Sequence, residues 1–349
     1  MQFKARFMTV LACTLATPMQ ALADSGSFHM KIIDRLAVGG SGGWDYVSID
    51  QHARKLYVSR GASIMSLDPD TGQARLGLAP TNRSHQIVPI NGGAELLITN
   101  SGDATITIVN AATGTIRITT HVSAGPDAAL LEPTTGLVAV IGNRSGNVDF
   151  IDPRSGASGG SVTVGGTLEY AAADGRGKVF VNVEDKGEVA AIDMKTRSVI
   201  GRYKMTGCEE PTGLTYLPPN NLLLVSCGNG VAEFVSPDNG AVIQSLKIGK
   251  GSDAAFYDRV HRLAFIPSGE SGTLAVIKVN GQNARIVETI KTAKGARLGM
   301  VDDKTGKVYL PSAKFGPPAT VGGWPAVIPG SFEIFVVGRD ANAVRLLRR

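Results

Sequence analysis

The chain has 349 residues, 19% of them charged and 6% aromatic, with 43 glycines and a formal net charge of +5. So much glycine without long helical periodicity excludes a helical bundle or coiled coil, and a small, scattered charge argues against a nucleic-acid surface. No segment beyond the first two dozen residues is apolar for long enough to cross a bilayer as a helix, so no membrane span is expected.

The first element in the chain is a leader rather than part of a fold. Lys4 and Arg6 make a basic start, Phe7 to Leu15 an apolar stretch, and Ala21-Leu22-Ala23 a small-x-small cleavage site, so residues 1–23 read as a signal peptide. A lipoprotein signal at Val10-Leu11-Ala12-Cys13 fits less well because of Leu11. The mature chain, a single domain over 24–349, is expected in the periplasm or outside the cell as a monomer. The leader takes two basic residues and no acidic ones, so the remainder carries +3. The basic cluster Arg345, Arg348 and Arg349 is read as a solvated tail.

After a short apolar segment at Met30 to Val38, one pattern recurs seven times: an apolar run, a turn, a second run, a turn, a third run. In the first repeat the expected strands are Tyr46 to Ile49, Lys55 to Ser59, Ser63 to Leu67 and Gln73 to Leu78. In the second they are Gln86 to Pro89, Glu95 to Thr99, Thr105 to Val109 and Thr115 to Thr119. The residues opening each first run are Asp45, His85, Asp127, Glu169, Thr212, Asp253 and Arg297, spaced 40, 42, 42, 43, 41 and 44 residues apart. A period in the low forties with about four short strands per repeat signals a β-propeller. The expected fold is therefore all-β, a seven-bladed β-propeller of four-stranded antiparallel blades.

Cys13 leaves with the leader, which leaves Cys208 and Cys227. They flank the hairpin of Pro211 to Leu217 and Leu222 to Cys227 at its open end, so a disulfide is expected in an oxidising compartment. The seventh repeat offers only three strands, Leu298 to Asp302, Lys307 to Pro311 and Phe332 to Val337. Met30 to Val38 is expected to supply the fourth and close the ring, removing two sheet edges. Between Lys314 and Ser331 a long Gly/Pro-rich loop replaces a short turn. It reads as an ordered flap, with Trp324, Val327 and Ile328 apolar enough to dock.

The second strands read Leu56-Tyr57-Val58-Ser59, Leu97-Ile98-Thr99-Asn100, Val179-Phe180-Val181-Asn182 and Val308-Tyr309-Leu310-Pro311, and third strands close on phrases such as Phe150-Ile151-Asp152-Pro153-Arg154-Ser155-Gly156. Over nearly the whole mature chain this resembles the YVTN-repeat family of bacterial seven-bladed propellers. Pro126 and Pro211 stand where that pattern has its proline; several other repeats lack it. The resemblance implies an exported propeller and leaves activity open, because related propellers include nucleic-acid binders, partners of quinoprotein dehydrogenases, metal-handling proteins, lactonases and lyases.

In a propeller the innermost strand lines a central channel, so the seven opening residues should meet at one mouth, flanked by Trp44, Tyr46 and Tyr170. The second-to-third turns bring Arg60, Asn100, Asn143, Arg144, Glu184, Asp185, Asn229, Glu270 and Lys314 to the same face. Asp45, His85, Asp127, Glu169, Asp253 and Arg297, with Trp324 on the flap, are the expected ligand-binding set. Clustered carboxylates raise one another's pKa unless a cation intervenes, so the set asks for a metal ion, a cationic ligand or a compensating arginine; Arg297 fills part of that need, or instead clamps a substrate carboxylate. Calcium or magnesium would suit oxygen ligands, and zinc or manganese would suit Asp45, His85 and Asp127 together. The leading expectation is a binding protein for a small polar ligand or divalent metal. One alternative is a lactonase or lyase, with His85 or one of Glu169 and Asp127 as base and Arg297 polarising a carbonyl. The other is a docking partner of a periplasmic quinoprotein-type redox enzyme.

Overall fold

In a computed structural model of the chain, residues 29–318 and 325–340 are described. The expected leader, the basic tail and Trp324 lie outside them. Seven four-stranded antiparallel sheets follow one another, and they form an all-β seven-bladed propeller. In blade 1 the strands are Val47–Asp50, Lys55–Ser59, Ser63–Leu67 and Ala74–Pro80, running from the channel outward. Blades 2 to 6 repeat that order, with inner strands Ser84–Ile90, Pro126–Glu132, Leu168–Ala173, Pro211–Leu217 and Phe256–Asp258.

Burial follows from this stacking. A second strand is covered on both faces by neighbouring blades, so Leu222–Cys227 is buried at every residue. The outermost strand Val242–Lys247 has a free edge and alternates exposed with half-buried positions. Of the largest fully buried side chains, Tyr57, Phe150, Phe180, Phe234, Phe265 and Tyr309 come from second or third strands, and Phe332 immediately precedes one. Each such ring taken from water stabilises the fold by roughly 1.5–3 kcal/mol.

The seventh blade is built from both ends of the chain. Met300–Val301, Val308–Ser312 and Glu333–Arg339 are joined by Met30–Ala37 as the outer strand. The pairing is antiparallel, from Met30 opposite Arg339 to Ala37 opposite Glu333, with a bulge between Ile32 and Asp34. The inner strand is shorter than its repeat predicts. Gly299 lies against Leu310 and the Tyr309 carbonyl with no room for a side chain, and regular pairing starts only after it.

Blades 7 and 1 are clamped by Arg54. Its guanidinium donates to Asp302 Oδ1 and to Asp70 Oδ1, each at 2.6 Å. Tyr309 adds a hydrogen bond from its hydroxyl to the Pro69 carbonyl at 3.2 Å. The Cys208–Cys227 disulfide is present, its Cα atoms 5.4 Å apart. The loop between blade 7's second and third strands rises as a hairpin, Phe315–Pro318 paired with Pro325–Val327. Phe315 and Val327 pack onto the core, whereas Ile328 is 43% exposed and does not dock.

Two outcomes are expected. Burial pushes the Asp302 carboxyl up, but hydrogen bonds from Arg54, Thr305 and the Lys304 amide outweigh it and hold it below the usual range. Such a group stabilises the fold above its unfolded value, near about 4, and loses that contribution as pH falls through the lower folded value. Arg54→Met should therefore cost roughly 3 kcal/mol at neutral pH by stranding a buried carboxylate. In urea melts the gap to wild type should narrow as pH falls toward 3, and a constant gap would count against the clamp. Thiol titration of denatured, unreduced protein should find no reactive cysteine at 208 or 227, and replacing both by serine should cost roughly 3 kcal/mol.

Candidate functional site

Four of the inner strands, those of blades 2 to 5, begin with an irregularity that the repeat pattern does not announce. Ser84 pairs with Asn100 and Ile87 with Ile98, so three steps along the inner strand match two along its partner. The same surplus occurs between Pro126 and Ala129, between Leu168 and Ala171, and between Pro211 and Gly213. These are β-bulges, which leave a residue out of the ladder and re-aim its side chain. His85, Asp127, Glu169 and Thr212 occupy them. Hydroxyls of the preceding or same blade satisfy backbone carbonyls there: Ser59 Oγ donates to Ser84 O at 2.6 Å and Thr99 Oγ1 to Asp127 O at 2.7 Å.

His85 sits among three partners. Its Nδ1 lies 2.5 Å from Asp45 Oδ2 and 3.1 Å from Asp127 Oδ1, and its Nε2 is 2.8 Å from Ser101 Oγ. Ser101 Oγ in turn donates to the Arg83 carbonyl at 3.3 Å, so it accepts from Nε2 and both ring nitrogens act as donors. Burial opposes the imidazolium, but Asp127 and Asp45 outweigh it and push the His85 pKa up to about 10. The Nδ1 proton is directed at Asp45. Asp127 Oδ1 is left as an ion-pair neighbour with no aligned donor, buried and without a hydrogen bond.

The remaining carboxylates are similarly under-compensated. Burial raises Asp127, His85 offsets part of that, and Asp45 and Asp253 raise it further. Glu169 is pushed up to about 9 by burial and by Asp127, Asp253, Glu184 and Asp45, although Asn143 Nδ2 donates to its Oε1 at 2.7 Å. Asp253 Oδ2 accepts from Arg297 Nε at 2.7 Å, yet burial still lifts its carboxyl. Tyr46 packs edge-on against Tyr170 with ring centroids 5.0 Å apart. Burial raises its hydroxyl first, and then Asp127, Glu169, Asp45 and Asp253 add to the shift, so all four charges are felt at this hydroxyl.

Other expected residues lie elsewhere. Thr212 turns to the next blade, donating to the Ser252 carbonyl at 2.6 Å. Asn100 is turned inward to Thr105 and Thr107. Arg60 donates to the Gly43 and Ser41 carbonyls at 2.9 and 3.0 Å and lies 3.8 Å over the Phe332 ring. Trp44 is wedged between Phe315 and Phe332, 5.9 and 5.5 Å away, and supports the flap's root. Ser101, which orients His85, carries no signal in the sequence beyond following a second strand.

Residues 47–169 match the family described as outer membrane protein assembly factor BamB. No curated protein matches the sequence. Among solved structures, Kuenenia stuttgartiensis hydrazine synthase is similar with a TM-score of 0.69 at 13% identity, over 83% of this chain and 96% of that one. A mitotic checkpoint complex structure matches with a TM-score of 0.71 at 13% identity, over 95% of this chain and 99% of that one. The RRP9 WD40 repeats match at 0.73 and 10% identity, over 88% and 98%. At these identities the likeness is one of fold.

The geometry at His85 makes a specific expectation. In metal-free protein, NMR of labelled histidine should show His85 protonated through neutral pH, with a midpoint near 10. Asp127→Asn should lower that midpoint by removing one of its two carboxylate partners, while His261 serves as an internal comparison. A His85 that titrates near the unperturbed value of about 6.5 would contradict the arrangement.

Proposed function

We propose that the channel mouth binds a divalent cation through Asp45, His85 and Asp127, in an exported seven-bladed propeller. The observation that carries this reading is that one ligating atom from each of the three lies within 4.8 Å of the others. Asp127 Oδ1 also lacks an aligned donor, as a position reserved for a cation would. A nitrogen with two carboxylate oxygens suits zinc or manganese better than calcium, which prefers oxygen alone. The ion would take Nδ1 in place of its proton, while Nε2–H stays on Ser101, as the outer ring N–H of a metal-bound histidine commonly rests on an oxygen. Glu169 and Asp253 would contribute charge nearby. The leader and the disulfide support export.

A second reading is a protein-docking propeller, and the partial match to the BamB description favours it. Among the described residues no helix is long and apolar enough to cross a membrane. The lactonase or lyase alternative would need His85 to give up a proton held by Asp45 and Asp127, or would turn to Glu169 or Asp127 as its base.

The cation reading is tested with protein stripped by chelator. Mn²⁺ or Zn²⁺ should bind with one-to-one stoichiometry by calorimetry and raise the melting temperature. His85→Ala and Asp127→Asn should each weaken binding by roughly tenfold or more, and the surface control Lys195→Ala should not. If neither ion binds the wild-type protein stoichiometrically, the reading is wrong.

A further inference from the structure

The geometry points to a small dicarboxylate as the second ligand of this mouth, bound between the cation and Arg297; the inference rests on the cation reading above. Arg297 opens the seventh repeat and is the ring neighbour of both Asp253 and Asp45. Its Nε is committed to Asp253 Oδ2 at 2.7 Å. Among the described residues Nη1 and Nη2 have no hydrogen-bond partner, and the side chain is 38% exposed. Two other arginines brought to this face, Arg60 and Arg144, are spent differently. Arg60 is used on loop carbonyls and Arg144 donates to the Ser101 carbonyl at 2.9 Å.

Arg297 is also held in place. A Cβ at Gly269 would come within 2.8 Å of Arg297 Cβ, and one at Gly295 within 2.4 Å of Phe315. The stem therefore starts from a backbone closely packed between the neighbouring blade and the flap's root. A guanidinium serving only to neutralise Asp253 would gain most by meeting it with two parallel N–H bonds. Here one N–H is used, and the two-nitrogen edge that matches a carboxylate is left available.

Charge then decides the ligand and the order of binding. Four carboxylates against His85 and Arg297 repel a free anion from the mouth. Once a divalent ion is held by three protein atoms, it keeps coordination positions for outside oxygen donors. A molecule with a hydroxy-carboxylate for the ion and a second carboxylate for Arg297 satisfies both halves. A monocarboxylate satisfies only one.

The test uses Mn²⁺, malate and lactate, since lactate has the chelating half without the second carboxylate. Mn²⁺ alone is titrated first, then each acid into chelator-treated and Mn²⁺-loaded protein. Malate should bind the loaded protein at least tenfold more tightly than lactate, and neither should bind the stripped protein measurably. Arg297→Gln should bring malate to the lactate level while Mn²⁺ affinity holds or tightens, because a neighbouring positive charge has gone. Arg297→Lys, which keeps the charge and loses the fork, should also lose most of the malate preference and guards against a folding defect in the first variant. If Mn²⁺ binds but malate shows no preference, or the preference survives both variants, this inference fails and the cation site stands. Failure of both Mn²⁺ and Zn²⁺ to bind overturns both readings; if only Zn²⁺ binds, the same malate and lactate titrations on Zn²⁺-loaded protein decide this inference.

Discussion

Circular closure is the constraint on which everything else here depends. A blade is a twisted sheet with two apolar faces and cannot bury either one alone, so each requires a neighbour and the ring must meet itself. The chain meets itself by placing Met30–Ala37 beside Glu333–Arg339 and by clamping blade 1 to blade 7 through Arg54, Asp70 and Asp302. Once the ring is closed, the starts of seven inner strands are forced onto one rim. Residues as far apart in the chain as Asp45 and Arg297 then lie within electrostatic reach of each other.

What occupies that rim is unusual for a merely wet entrance. The carboxylates raise one another because burial removes the water that would screen them, and the two cations present do not neutralise all four. His85 is divided between Asp45 and Asp127, and Arg297 is bonded to Asp253 through a single nitrogen. Such an arrangement is relieved either by protonation, as at the raised Glu169 carboxyl, or by a cationic guest, and the second route is the physical basis for the proposed site. The support around it is rigid. The disulfide pins the entry to blade 5, and Trp44, Phe315 and Phe332 lock the flap's base beside Arg297.

The fold by itself does not choose a function, since hydrazine synthase, a checkpoint complex and RRP9 present the same architecture. The match to the BamB description begins two residues after Asp45 and ends on Glu169, so it spans the blades that carry His85 and Asp127. A propeller could use its channel mouth for a small ligand and another face for a protein, and these uses compete for no residue named here.

The sequence by itself determined the blade count, the order of strands and the circular closure, because each follows from local rules. Short apolar runs mark the strands, Gly and Asn turns mark their ends, and a seventh repeat short of one strand calls for the segment before the first. Cys208 and Cys227 were legible for the same reason, as the two open ends of one hairpin. The site was legible only as a row of equivalent positions. How His85, Asp127, Glu169 and Thr212 were aimed hung on a single extra residue at the start of their four inner strands, and a bulge arises from pairing between strands, not from any one of them. Tertiary structure alone decided that Thr212 and Asn100 turn away, that Ser101 orients His85, and that Asp127 Oδ1 is left without a donor. These depend on distances between side chains of different blades, which no local pattern encodes.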